Sequence, residues 1–136
     1  LDPLPIHRGT YESPQYGVES SWFRTRDQLE LVDGDTQIDD GIRLILLSGH
    51  SDGIQGILVH TEDGEYLLAG DCINLYENWT GNAKLKHIIG GLHSDVKAYF
   101  KTYEKIEALE RDEHIKIIPG HDTAVLEHKV YPVPPC

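Results

Sequence analysis

The chain has 136 residues, with 12 basic and 23 acidic side chains and a formal net charge of −11 at neutral pH. Such a surplus of carboxylates argues against nucleic acid or an anionic membrane as partner, because both are bound through clustered Lys and Arg. The length suits one domain with a real core, and no apolar run approaches the roughly 20 residues of a membrane span.

Residues 1–28 are rich in Pro, Gly, Tyr and Ser without a sustained period, and read as an irregular entry segment before a domain over 29–136. The opening LDPLPIHRGTYE has neither the basic start nor the apolar centre of a signal peptide. Leu29 and Leu31 precede a turn predicted around Asp33-Gly34, and IRLILLSG is apolar almost throughout, which suits a strand buried on both faces. GILVHTEDGEYLLAGD predicts a hairpin: apolar runs Ile57–Val59 and Tyr66–Ala69 flank a turn in which Gly64 can take positive φ. Residues 74–94 read as a long loop with a short helix. A long helix follows, capped by Ser94 or Asp95, with Val96, Tyr99, Tyr103, Ile106 and Leu109 or Glu110 as its apolar stripe and a break at Asp112. HIKIIPGHD predicts a short strand stopped by Pro119-Gly120, and prolines extend the tail YPVPPC. Cys72 and Cys136 make no disulfide framework, so a reducing cytoplasm is the expected compartment. Strands, a long helix and a last strand make an α/β layered pattern, but one long helix cannot cover both faces of such a sheet.

Three polar residues share one kind of position. His50 follows ILLSG, Asp71 follows YLLAG and His121 follows IKIIPG, each directly after a glycine at the end of an apolar strand. Neighbouring strands lie about 4.8 Å apart, so three such ends on one sheet edge can converge. Two imidazoles and a carboxylate suit zinc and similar ions. Each residue alone has a bland reading: a solvated loop histidine, a turn-closing aspartate, a Pro-Gly-His turn. From spacing alone, a shared metal site and three unrelated loop residues stand about level.

GHSDGIQGILVHTEDGEYLLAGDC, followed fifty residues after its aspartate by IIPGHD, resembles the second half of the metallo-β-lactamase fold, and is most similar to the N-acyl homoserine lactonase-like branch. The likeness runs through the glycine-histidine turn with Gly53 and Gln55, the strand ending in Gly70-Asp71, GLHSDVKAYFKTYEKIEAL, and PGHD with the Tyr131-Pro132 tail, most of residues 40–132. The resemblance implies an αβ/βα sandwich, of which 29–136 is the C-terminal half: a mixed sheet with a long covering helix. It implies two divalent metal ions, zinc first, with manganese, iron or cobalt as other candidates. His50 would bind the first, Asp71 bridge both and His121 bind the second, while a hydroxide held between them attacks the carbonyl of a lactone, cyclic amide or related small molecule.

The cluster His-x-His-x-Asp-His, which the family carries in its first half, is absent here; His87 and His93 are the nearest pair, and His7 stands without company. The resemblance therefore implies a partner, a separate chain bearing the N-terminal half and that cluster, with a higher oligomer also open. Where lactonases of this branch usually have a tyrosine three residues after the bridging aspartate, this chain has Asn74, an amide able to donate to an oxyanion; Tyr76 lies two residues further on. The turn reads Leu47-Ser48-Gly49 where Thr-Pro-Gly is common.

Tyr76 and His93 are candidates for the substrate mouth, although His93 also fits a helix entry. Asp122 either orients His121 or caps a turn. Cys72, next to the bridging aspartate, is expected to point away from the metals. Gln55 reads as a backbone-bonding residue, Tyr99 and Tyr103 as core, His60, His114 and His128 as surface, and Glu104–Glu113 as a solvated helix face. Against the hydrolase subunit stands a non-catalytic or regulatory subunit that keeps the fold with an incomplete site. Retention of all three strand-end ligands with their glycines favours the hydrolase.

Overall fold

The computed structural model describes residues 30–127. The entry segment 1–28, Leu29, His7, His128, Cys136 and the Tyr131-Pro132 tail lie outside them. The chain divides into two units at Asp33–Gly34, and every element below belongs to the second.

The strands are β1 (Thr36–Asp39), β2 (Ile42–Leu46), β3 (Gln55–Thr61), β4 (Gly64–Leu68) and β5 (Lys116–Ile118), in that order across one five-stranded sheet. β1 to β4 form an antiparallel meander, and β5 joins β4 in parallel, so the sheet is mixed as predicted. The β3–β4 hairpin turns where Thr-Glu-Asp-Gly predicts, with Thr61 opposite Gly64 and Gly64 at φ 123°. The parallel β4–β5 pair needs a long crossover, and residues 69–115 provide it. They begin with a 3-10 turn at Gly70–Cys72, continue through α1 (Tyr76–Thr80), and end in the 18-residue α2 (Val96–Glu113).

Asp95 caps α2, its carboxylate accepting from the N–H groups of Lys97 and Ala98, and these bonds hold its pKa below the ordinary carboxylate range. The stripe differs from the prediction at its start. Val96 is 41% exposed, while Thr102 is buried and bonds Ser48. Tyr99, Tyr103 and Ile106 pack with Trp79 of α1 against Ile45, Leu58 and Leu67 of the sheet.

Alternation puts the row Leu44, Ile57, Leu68 and Ile118, paired in register, on the opposite face. Ile57 is 40% and Leu68 41% exposed. In IRLILLSG, expected to be buried on both faces, Ile45 and Leu47 are fully buried, while Ile42, Leu44 and Leu46 are half-buried within this chain. The described helices both pack on the Ile45–Leu58–Leu67 side. β1, which sequence pattern did not reveal, is a short polar edge strand with a bulge between Gln37 and Asp39. Among the described residues no helix is long and apolar enough to cross a membrane.

The core hinges on the buried side of β4. Replacing Leu67, fully buried, with alanine is expected to cost about 2–5 kcal/mol, read as a lowered midpoint in urea unfolding.

Candidate functional site

β2, β4 and β5 end on the same edge of the sheet. After β4 the chain enters the 3-10 turn that presents Asp71; after β5, Pro119-Gly120 delivers His121. Gly120 lies against Gly70, where a Cβ would come within 2.6 Å of the Gly70 carbonyl oxygen. The N–H groups of Gly120 and His121 donate to the carbonyls of Ile73 and Asn74, each at 2.9 Å. Thus the backbones of the two residues preceding Asp71 and His121 are in contact, which the missing side chain of Gly120 permits; at Gly70 the Cβ position is open, and the glycine there serves a backbone with φ 53°. Gly49, at φ 144°, packs on Tyr99 instead; a Cβ there would meet Tyr99 Cα at 2.6 Å.

The three predicted ligands do converge. His121 Nε2 lies 2.5 Å from Asp71 Oδ1, and His50 Nε2 lies 3.7 Å from Asp71 Oδ2. One carboxylate therefore meets an imidazole at each of its oxygens. His50 Nδ1 lies 2.8 Å from the carbonyl of Leu92. A carbonyl only accepts, so Nδ1 carries the proton and a neutral ring leaves the Nε2 lone pair on the Asp71 side. Nevertheless, among the described residues no group of three or more His, Cys, Asp or Glu side chains is arranged to hold a metal ion. The distances give the reason. Two ligands about 2.0–2.1 Å from a tetrahedral zinc sit roughly 3.4 Å apart. The His50–Asp71 separation is close to that, whereas His121 and Asp71 are hydrogen-bonded directly. The donor types suit a divalent ion, and the direct His121–Asp71 contact would have to open for an ion to enter between them.

The turn bearing His50 rests on the N-terminal end of α2. The Ser94 and Asp95 N–H groups donate to the Gly49 carbonyl at 2.9 and 3.1 Å, and the Thr102 hydroxyl to Ser48 at 2.7 Å. The turn bearing Asp71 is bonded from beneath by Tyr99, whose hydroxyl donates to the Cys72 carbonyl at 2.6 Å and lies 3.2 Å from that of Asp71. Desolvation pushes the Tyr99 phenol up to about 12, so it remains a proton donor at neutral pH. Pattern placed Tyr99 in the core, but a periodic stripe cannot report where a hydroxyl ends.

The other predicted residues have separate surroundings. Asn74 is half-buried, with Oδ1 closed to solvent and unpaired among the described residues, and Nδ2 against Gly90. Tyr76 opens α1. His93 bonds the Gly90 carbonyl through Nδ1 and meets Tyr99 edge-on. Asp122 directs both oxygens at backbone N–H groups, of Tyr76 at 2.8 Å and Ala124 at 2.9 Å, so it is a turn cap rather than a partner of the His121 ring. Those bonds keep its pKa low.

Cys72 turns into the core, fully buried, because it ends a 3-10 turn and not a strand. Desolvation raises its thiol to about 12. His87 stacks on Trp79 and bonds Glu107, which also takes Lys86, so that part of the acidic stretch is not purely solvated. His60 and His114 are exposed, as predicted.

An N-acyl homoserine lactonase from Bacillus cereus is 32% identical over 80 residues, which are 57% of this chain and 32% of that protein. An N-acyl homoserine lactone hydrolase, solved with N-hexanoyl-L-homoserine bound at its catalytic metal center, superposes with a TM-score of 0.63 at 23% identity, over 76% of this chain and 40% of that one. AidC, a dizinc quorum-quenching lactonase, gives 0.53 at 12% identity, over 79% and 33%. No family model matches. The chain spans about a third of the curated relative's length, and the structural likeness is one of fold.

Two outcomes follow from the close contacts and the buried thiol. Gly120→Ala lowers the urea midpoint, because the new methyl meets the Gly70 backbone, while Gly91→Ala, whose Cβ position is open, leaves it unchanged. In the native protein at pH 8, the Cys72 peptide escapes iodoacetamide and is alkylated only after denaturation, as peptide mass spectrometry would record.

Proposed function

We propose that this chain, which has part of the lactonase-like metallo-β-lactamase fold, supplies His50, Asp71 and His121 to a metal-dependent hydrolase acting on the carbonyl of a small lactone or cyclic amide. The observation that carries the reading is the two-sided Asp71, with Nε2 of a different histidine at each carboxylate oxygen. Two divalent ions bound by these groups, zinc or else manganese, iron or cobalt, would lower the pKa of water and polarise the substrate carbonyl.

The chain's own residues have distinct tasks. The Leu92 carbonyl accepts from His50 Nδ1, so that the neutral ring would offer its Nε2 lone pair to an ion. Asp71 offers one oxygen to each side, and the backbone bonds at Gly120 and His121 hold the His121 loop in reach. Asp122 acts on that loop through the backbone, by bonding it to the start of α1. Asn74 is the oxyanion donor, which requires its amide to turn from Gly90 toward the carboxylate. Tyr76 and His93 line the substrate side.

The remaining ligands come from the N-terminal half of the fold with its His-x-His-x-Asp-His cluster, on a second chain. The half-exposed row Leu44, Ile57 and Leu68 supports this, because an apolar sheet face of that kind is a surface to be covered. The assembly belongs in the cytoplasm, and higher oligomers are compatible with it.

The test is metal analysis of the purified protein, with intact masses of every polypeptide that accompanies it and hydrolysis assays on lactones and cyclic amides. About two ions per assembly, activity abolished by a chelator, and loss of metal in His50→Ala and His121→Ala are expected. Protein without metal or companion would overturn the hydrolase in favour of a non-catalytic subunit. Metal with no second chain would overturn only the split arrangement.

A further inference from the structure

We propose that Tyr99 is a positioning residue that sets the separation of His50 from Asp71, an inference that rests on the metal-site reading above. Tyr99 is fully buried in the middle of the α2 stripe. Its stem supports one ligand turn: the backbone of Gly49, directly before His50, approaches so closely that a Cβ would fall 2.6 Å from Tyr99 Cα and 2.7 Å from its Cβ and Cγ. Its tip holds the other turn, through the hydroxyl bond to Cys72 and the contact with the Asp71 carbonyl. The same oxygen lies beside Gly90, where a Cβ would fall 3.1 Å from it, two residues before the Leu92 carbonyl that meets His50 Nδ1. One side chain with two torsions therefore spans from the His50 turn to the Asp71 turn and packs against the loop that carries Leu92.

Packing alone does not call for this residue. Phenylalanine would fill the same space against Tyr103 and His93, whose rings meet it edge-on at 5.4 and 6.4 Å. What the hydroxyl adds is a fixed distance between two turns that share no direct backbone hydrogen bond among the described residues. Tyr103 is the natural control. It is equally aromatic and lies one helical turn on, but its hydroxyl reaches the Cys72 carbonyl only at 3.3 Å and the Ile88 carbonyl at 3.5 Å, where that of Tyr99 lies 2.6 Å from Cys72 and 3.2 Å from Asp71.

Tyr99→Phe and Tyr103→Phe are to be compared with wild type in the protein as purified with its accompanying chains. Zinc affinity is measured by competition with a chromophoric chelator, and coordination geometry by the visible bands of the cobalt-loaded site. Thermal midpoints report on the fold. Loss of an outer partner of a metal ligand typically weakens binding 10–100-fold. Tyr99→Phe is expected to lose about tenfold or more in zinc affinity and to shift the cobalt bands, while Tyr103→Phe stays within about twofold of wild type with unshifted bands. Equal affinities and spectra in the two variants would overturn the positioning role and leave the metal site standing. Wild-type protein without zinc would overturn both, and the fault would lie in the hydrolase reading. Should Tyr99→Phe fail to fold, Gly49→Ala presses the same joint from its other end, with Tyr103→Phe again as control. The same loss of zinc affinity is then expected, and an unchanged affinity would sink the proposal.

Discussion

The parallel pairing of β4 with β5 is the constraint on which the rest depends. Once Leu68 stands beside Ile118, the two chains leave the sheet side by side, and the next residues to meet are Gly70 and Gly120. Gly120 has no side chain to hold them apart, so the backbones touch and the loops stay together for two more hydrogen bonds, to Ile73 and Asn74. Asp71 and His121, fifty residues apart in sequence, are adjacent as a consequence. A methyl group at position 120 would have to displace backbone, which is far less yielding than a side-chain end.

The crossover that makes a parallel pair possible has a second effect. α2 lies over one face of the sheet and packs Tyr99, Tyr103 and Ile106 on Ile45, Leu58 and Leu67. Just before its first turn, the N–H groups of Ser94 and Asp95 donate to the carbonyls of Gly49 and His50, while the Asp95 carboxylate caps Lys97 and Ala98. Core and site are thus parts of one contact surface, and the hydroxyls of Thr102 and Tyr99 reach from the buried stripe to the ligand turns. The opposite face shows the reverse economy. Its apolar row is as regular as the buried one, yet half of it faces outward.

Much of this was legible in the sequence, and the reasons are local. The β3–β4 hairpin follows from two apolar runs around Thr-Glu-Asp-Gly, α2 from Asp95 and a 3.6-residue stripe, and β5 from an apolar run stopped by Pro119-Gly120. The ligand positions follow from a repeated local pattern of strand, glycine and coordinating side chain. β1 was missed because TQID has one apolar residue and its pairing is decided by β2. Val96 was misplaced because periodicity does not say which turns of a helix are covered. Burial on both faces was expected for β2 because an apolar run records what a strand can bury rather than what covers it.

The sequence by itself determined that two histidines and an aspartate, His50, Asp71 and His121, stand directly after glycines at the ends of three strands. Local spacing and residue chemistry are enough for that. The tertiary structure alone decided that His50 and His121 face opposite oxygens of one carboxylate, that Leu92 selects the His50 tautomer, that Asp122 caps a turn, and that the hydroxyl of a core tyrosine ends beneath Asp71. Those contacts join segments 21 to 50 residues apart. Their distances are set by how β4, β5 and α2 pack together, a property of the assembled sheet and helix that no window of neighbouring residues contains.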